Sequence, residues 1–411
     1  MNQEILPNET PNSKKLNLKL NFKEINLKSY SKLLVLIILL GSTSLLYLFL
    51  AGWRPSFIFE QGQQPVVSVT QTGMISAKSD PQGASVYLDG KLLTATNNTL
   101  SGIEPGKHNL KIIKNGYAEW QKEIEVFPEL VTDITAVLIS ETPRIEPLTN
   151  TGARFPVLSH TLEKIAFFSK DPESPGIWVI NIKDSGLSLF RNSAKNVLKD
   201  NNFLTFSEGV SLSWSPDENQ LLIELKDNKF YLLDISTNNV TPVSKPNELK
   251  DSWVNKLNKK RLDFVSELNL ENEIVKIAGA QDTLWSPDNK KFLYKVEEND
   301  KIIYKIYNLE KPLPVGEQIE TTVFETLKSN SQPQISWYSD SFHLLLTEEY
   351  NSETNRGTIS MIRIDGTNKV EIYANTLFSD KIFSSPDGSK IIILTRFKSG
   401  NQTDLYTLGI K

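Results

Sequence analysis

Apolar and polar positions follow a short period along most of this chain, with one interruption near its start. Residues 33–53 read LLVLIILLGSTSLLYLFLAGW and carry no charge. At about 1.5 Å per residue, such a run matches a hydrocarbon core of about 30 Å. It predicts one transmembrane helix, in which Ser42, Thr43 and Ser44 can bond back to helix carbonyls. From residue 73 the period becomes two, the signature of strands. GMISAKS (73–79), ASVYLDGK (84–91), KHNLKII (107–113), EWQKEIEVF (119–127) and VTDITAVLI (131–139) each alternate. Turn residues separate them at DPQG (80–83), Asp89-Gly90, Pro105-Gly106 and Asn115-Gly116.

Further on, one phrase repeats. SWSPDENQLLIEL (213–225) and LWSPDNKKFLYKV (284–296) are near copies. ISWYSDSFHLLLTE (335–348), IFSSPDGSKIIILT (382–395), PVLSHTLEKIAFFS (156–169) and DSWVNKLNKKRLDFVSE (251–267) are more worn ones. Aligning Leu158, Trp214, Trp253, Trp285, Trp337 and Ser384 gives a mean spacing of about 45 residues, within the range of four-stranded propeller blades. Each phrase reads as an inner strand, a Ser-Pro-Asp bend and a second strand buried on both faces. A third strand follows most copies, as in FYLLDI (230–235) and IIYKIY (302–307). The pattern predicts a β-propeller of six blades, with five as the alternative. It also predicts that 144–149 pairs with 405–410 to close the ring, which removes two exposed sheet edges.

Two family resemblances follow from these residues. Pro81-Gln82-Gly83-Ala84, Val86-Tyr87-Leu88-Asp89-Gly90, Pro105-Gly106-Lys107-His108 and Gly116-Tyr117 resemble a PEGA domain. That resemblance implies a small β-sandwich of the kind found mostly in prokaryotic surface proteins. LLTATNNT (92–99) departs from the family pattern, which usually carries a Gly and a Thr-Pro there. The repeated phrase is similar to that of TolB-like propellers, W-S-P-D-G-x-x-I-x-F, over about 144–411. The expected fold is an all-β extracytoplasmic region, a small PEGA β-sandwich plus a β-propeller, behind one N-terminal transmembrane helix. The expected organisation is a cytoplasmic tail at 1–32, the transmembrane helix at 33–53, a linker at 54–72, the PEGA domain at 73–140 and the propeller at 141–411.

Charge orients this scheme. The chain carries −4 overall, which gives nucleic-acid binding no support. Residues 1–32 hold Lys14, Lys15, Lys19, Lys23, Lys28 and Lys32 against Glu4, Glu9 and Glu24. Lysine next to the apolar run places the N-terminus in the cytoplasm and the bulk outside the membrane. Cleavage after Ala51 would put bulky Phe49 at the third position before the cut, so an uncleaved signal anchor is expected. Leu16, Leu18, Leu20 and Phe22 alternate as a partner-binding strand would, or as a membrane-skimming tail. Tyr47 and Trp53 are placed for an interfacial belt. The absence of cysteine excludes disulfides, thiolate metal sites and a lipoprotein anchor.

Candidate chemistry is sparse. The sequence holds no G-x-S-x-G, phosphate loop or H-E-x-x-H. His108, His160 and His343 stand far apart. Ser215, Asp217, Ser286 and Asp288 repeat from blade to blade and read as turn formers. SKDPESPG (169–176) and TEEYNSETN (347–355) are acidic but lack calcium-loop spacing. Tyr87, Tyr117 and Trp120 read as core, with sugar stacking by Tyr117 or Trp120 as the alternative. No catalytic, cofactor-binding or metal-ligating residue is assigned, and no cofactor is expected. The expected function is a non-enzymatic binding or scaffold protein for envelope proteins or cell-surface glycan. The alternatives are a channel enzyme acting on envelope glycan or peptide, and an extracytoplasmic sensor.

Overall fold

The computed structural model describes residues 27–50, 53–58, 66–182, 194–397 and 402–411. The alternating tail residues Leu16 to Phe22 lie outside the described residues. Two compact units divide the chain, Met1–Gln71 and Thr72–Lys411.

In the first unit, helix α1 spans Leu27–Leu50. Its segment Ser31–Phe49 has a mean hydropathy of 2.1 and none of it is buried in protein, so it has the length and apolarity of a membrane-crossing helix. Ser42 Oγ and Thr43 Oγ1 donate to the Leu39 carbonyl at 3.0 and 2.9 Å, as expected. The helix begins six residues earlier than the apolar run and ends at Leu50. Trp53 opens a strand, Trp53–Ile58, that pairs antiparallel with Val66–Gln71. The stretch expected to be a plain spacer thus contains an antiparallel strand pair, for which the Val- and Thr-rich run Val66-Val67-Ser68-Val69-Thr70 is suited.

The second unit begins with two small sheets. One has the order Asn98–Ile103, Gly73–Asp80, Val131–Val137, and its last pair is parallel. The other runs Lys91–Ala95, Ser85–Leu88, Gly106–Ile113, Trp120–Val126. Ile75, Ala77, Val86, Leu110, Ile112 and Trp120 fill the space between them. Asp89 (φ 50°) and Gly90 (φ 80°) turn the second hairpin, a left-handed pair that suits the twist of its strands. In the departing loop, Thr96 Oγ1 accepts from the Gly83 and Ala84 amides at 3.1 and 3.0 Å and tethers the DPQG turn.

Five four-stranded antiparallel sheets follow among the described residues. Blade one holds Arg154–Leu158, Lys164–Ser169, Gly176–Asn181 and Lys195–Lys199. Blade two holds Ser211–Trp214, Gln220–Glu224, Phe230–Asp234 and Asn239–Val243. Blade three holds Leu284–Trp285, Lys291–Glu298, Lys301–Asn308 and Glu320–Leu327. Blade four holds Gln334–Trp337, His343–Asn351, Arg356–Arg363 and Val370–Thr376. Blade five holds Phe383–Ser384, Lys390–Thr395 and Asp404–Gly409, and its outer strand is Arg144–Pro147. That outer strand pairs Arg144 with Gly409 and Pro147 with Tyr406, so the expected closure is present.

The second strand of each blade explains the repeated apolar run. Its residues alternate between two faces, and each face joins a different neighbour. Ile165 and Phe167 pack with Ile392 and Leu394 of blade five, while Ala166 and Phe168 pack with Leu221 and Ile223 of blade two. Leu344 and Leu346 face blade three, and Leu345 faces blade five. Fully burying each such side chain contributes about 1.5–3 kcal/mol.

The sixth phrase is not a blade. Residues Pro246–Glu267 form helix α2 and Asn272–Ala278 form helix α3. This decides for the five-blade alternative over six and corrects the placing of Trp253 on an inner strand. The segment has Pro246 at the first turn and apolar Leu249, Trp253, Leu257, Val265 and Leu268 near one helical stripe. It lacks the Ser-Pro-Asp bend that ends the inner strands. The helices nevertheless take up a position in the ring. Val265 and Ala278 pack with Trp285, Phe292 and Tyr294 of blade three. On the other side, Lys250 lies 5.4 Å from the Phe230 ring centroid of blade two. Among the described residues the ring thus has five sheets and one helical wall.

The sandwich sits on blades four and five. Val137 and Ile139 share an apolar cluster with Leu345, Ile359, Tyr406 and Ile410. The Ser140 amide donates to the Ile410 carbonyl at 2.8 Å, and the Gln121 amide to Asn368 Oδ1 at 2.9 Å.

Candidate ligand site at the channel mouth

The inner strands place their bends around one end of the channel. Within each Ser-Pro-Asp bend the serine hydroxyl donates to the aspartate: Ser215 to Asp217 at 2.6 Å, Ser286 to Asp288 at 2.5 Å, Ser385 to Asp387 at 2.6 Å. The same serine oxygen accepts the amide five residues on, Gln220, Lys291 or Lys390, at 3.0 Å in each case. These groups are therefore committed to turns, as their repetition implies. Each bend also carries one left-handed residue: Leu162 (φ 62°), Glu218 (φ 57°), Asn289 (φ 55°), Ser341 (φ 61°) and Gly388 (φ 67°).

The bends are linked laterally. Glu218 accepts from the Thr161 amide at 2.6 Å and from its hydroxyl at 3.0 Å, joining blades one and two. Ser341 Oγ accepts from the Asp288 amide at 3.2 Å, joining bends four and three. Tyr338 Oη donates to the Gly388 carbonyl, joining blades four and five. Where blade three lacks a neighbouring bend, α2 supplies the bond: Arg261 Nε donates to Asn289 Oδ1 at 3.0 Å. The tryptophans show the same substitution. Trp214 Nε1 donates to Val157 O in blade one, and Trp337 Nε1 to Leu284 O in blade three. Trp285 Nε1 donates instead to Ala278 O, in α3.

A cavity of about 740 Å³ opens at this end. Inner strands of blades one, three, four and five and helix α2 contribute to its wall, among them Leu158, Trp285, Trp337, Phe383 and Phe264. Its size and largely apolar lining are those of ligand pockets. Arg261 lies over Trp285, 5.5 Å from the ring centroid, and burial holds its pKa below the ordinary value. Asp288 is the wall's one carboxylate among the described residues. Burial pushes it up, but Ser286, the Lys290 amide and Lys291 outweigh this and hold it below the usual range. A groove of about 970 Å³ between blades three and four is larger, but its lining comes from the second to fourth strands and a connecting loop, away from the inner strands. Its lysines are already paired, Lys301 with Glu325 at 2.8 Å and Lys369 with Glu348 at 2.7 Å.

The three histidines occupy separate places. His108 bonds Asp89 and the Glu104 carbonyl, both at 2.7 Å. Burial lowers its pKa, yet these two partners outweigh burial and the net shift is upward. His343 Nδ1 is 2.7 Å from Asp340 Oδ2 inside a bend. His160 is the one on the cavity wall. Among the described residues no group of three or more histidine, aspartate or glutamate side chains converges as a metal set would. The acidic stretches are local turns: Asp171 Oδ1 accepts the Glu173 and Ser174 amides, and Asn351 Oδ1 those of Glu353 and Thr354. Trp120 is buried in the sandwich core, 3% exposed, so its ring is not open to a sugar. Sequence reasoning missed Lys260 and Arg261 as wall residues because α2 was read as a strand phrase.

Fold and site together define a five-sheet β-propeller with a helical wall, joined to a small β-sandwich. Residues 72–141 match the model of the PEGA domain. Solved structures similar to the chain include TolB from Acinetobacter baumannii, at 16% identity and a TM-score of 0.25, covering 74% of this chain and 60% of that one. A TolB structure from Agrobacterium tumefaciens is similar at 15% identity and a TM-score of 0.23, covering 68% and 75%. Oligogalacturonate lyase from Vibrio parahaemolyticus is similar at 12% identity and a TM-score of 0.24, covering 65% and 82%. The chain thus spans less than two thirds of the Acinetobacter protein. No curated protein sequence matches it.

Proposed function

We propose that the chain is a membrane-anchored, extracytoplasmic binding or scaffold protein that receives its partner at the channel mouth. The observation that carries this reading is the cavity itself, built jointly by four blades and α2. Helix α1 serves as the anchor, with the lysine-rich tail on the cytoplasmic side and the bulk outside. The PEGA sandwich acts as a spacer or adhesive unit, and the propeller presents the interaction surface. A glycosidase of the usual kind would need two carboxylates flanking its substrate. The cavity wall offers only Asp288 among the described residues, and a bend already engages it.

The test is site-specific photo-crosslinking in intact source cells. A crosslinker at Gln334, on the cavity wall, is expected to capture an envelope partner. One at Thr241, on the outer strand of blade two, is not. Capture at Thr241 alone would move the binding surface to the outer wall. Turnover of an envelope glycan or peptide by the purified chain would instead support the enzyme reading.

A further inference from the structure

The cavity wall is basic in a protein that is acidic overall. Lys260, Arg261, Lys290 and Lys381 line it, opposed by Asp288 alone among the described residues. Asp288 is spent on Ser286, the Lys290 amide and Lys291. The four wall cations have no carboxylate partner among the ion pairs of the described residues, and Arg261 rests on an aromatic ring and an amide oxygen. Cations left partnerless around an apolar cavity favour an incoming anion.

Three serines and one asparagine on the same wall are in the opposite condition. Ser286 bonds Asp288, Ser336 Oγ donates to the Ile382 carbonyl at 3.2 Å, and Ser384 Oγ to the Ser385 carbonyl at 3.0 Å. Asn289 Oδ1 accepts from Arg261. Gln334 and His160 apart, sugar hydroxyls would therefore find few free neutral partners, whereas carboxylates find four free cations beside apolar surface. The volume, about 740 Å³, suits a few residues rather than a folded domain.

We propose that the channel mouth binds a short acidic peptide segment whose carboxylates meet Lys260, Arg261, Lys290 and Lys381 and whose apolar side chains lie on Trp285, Phe264 and Phe383. This rests on the channel-mouth reading above and names the chemistry of its ligand. The probe is a labelled pentapeptide alternating phenylalanine and glutamate, titrated against the full chain in detergent by fluorescence anisotropy. Comparison ligands are its glutamine counterpart, an oligo-uronic acid and a neutral chito-oligosaccharide. The glutamate peptide is expected to bind about tenfold or more tightly than the glutamine one, and Lys260→Gln and Lys381→Gln each to weaken it by about tenfold. Both lysines are exposed, so neither variant should unfold the ring. Lys301→Gln, in the outer groove, should leave binding unchanged. Equal binding of the two peptides, or insensitivity to both cavity variants, overturns the proposal. Tighter binding of either saccharide overturns the peptide assignment. Crosslinking at Gln334 that persists in the Lys260→Gln Lys381→Gln double variant overturns it too, but leaves the channel-mouth reading standing. Loss of the Gln334 crosslink in the parent chain fails that reading itself.

Discussion

Lys122 of the sandwich reaches Asp365 of blade four, Nζ to Oδ2, at 2.8 Å. Both side chains are nearly buried, and Arg363 and Glu317 complete a four-member charge cluster across the seam. Burial pushes the Asp365 carboxyl up, but Arg363 and Lys122 more than reverse this and hold it far below the usual carboxylate range. Breaking a buried cluster by removing one member leaves an uncompensated charge. Asp365→Ala is therefore expected to cost about 3 kcal/mol, read by denaturant unfolding of the full chain in detergent.

The same carboxyl sets a pH window. A group whose pKa is depressed on folding adds stability that is fully present above its unfolded value, about 3.9. That share is lost as pH falls below about 4 towards the folded value. Melting temperature at pH 7 and pH 3 should differ more in the parent than in Asp365→Asn. Equal acid sensitivity in the two would contradict the assignment.

Ring closure can be tested with a covalent bridge. Glu146 and Thr407 are direct partners across the closing strands, and the chain has no native cysteine to interfere. The Glu146→Cys Thr407→Cys variant should oxidise readily, since paired strands hold opposite Cα atoms about 4.5–5.5 Å apart. It should raise stability by about 2–4 kcal/mol. Failure to form the bridge under mild oxidation would contradict the pairing.

The tryptophans of the repeated phrase are structural in their contacts. Trp214 is 4% exposed and packs with Phe168, Leu212 and Leu221. Trp214→Ala should cost about 3–5 kcal/mol. Trp285→Phe removes mainly the bond to Ala278 and should cost about 1 kcal/mol. Calorimetry of both variants separates packing from bonding.

The left-handed bend position gives a pair of opposite outcomes. Leu162 holds φ 62° with a branched side chain, so Leu162→Asn should stabilise by about 0.5–1 kcal/mol. At Gly388 the reverse holds, because an added Cβ would meet Tyr338 Oη at 2.5 Å and Ser339 Oγ at 2.8 Å. Gly388→Ala should destabilise by about 1–3 kcal/mol. Equilibrium unfolding checks both.

Much of this architecture was readable from residue order because its causes are local. The two-residue period, the Ser-Pro-Asp bends and the Asp89-Gly90 turn each carry their own signal. Ring closure was readable because an unpaired edge at 404–409 demands a partner. The phrase around Trp253 misled because a tryptophan and a spacing outweighed a helical stripe from Leu249 to Leu268. The pairing of 53–58 with 66–71 was obscured by the Gln-rich sequence between them. The charge on the cavity wall had no sequence signal, since Lys260, Lys290 and Lys381 meet only after the ring forms.

The helical wall has a consequence for how anything enters the mouth. A ring of like repeats presents a ligand with several equivalent rotational settings, and an extended segment could lie along any of them. Helices α2 and α3 abolish that equivalence, because one sector alone carries Lys260, Arg261 and Phe264. The channel thereby acquires a compass bearing, and a guest held by that sector has its chain direction fixed relative to the sandwich on blades four and five.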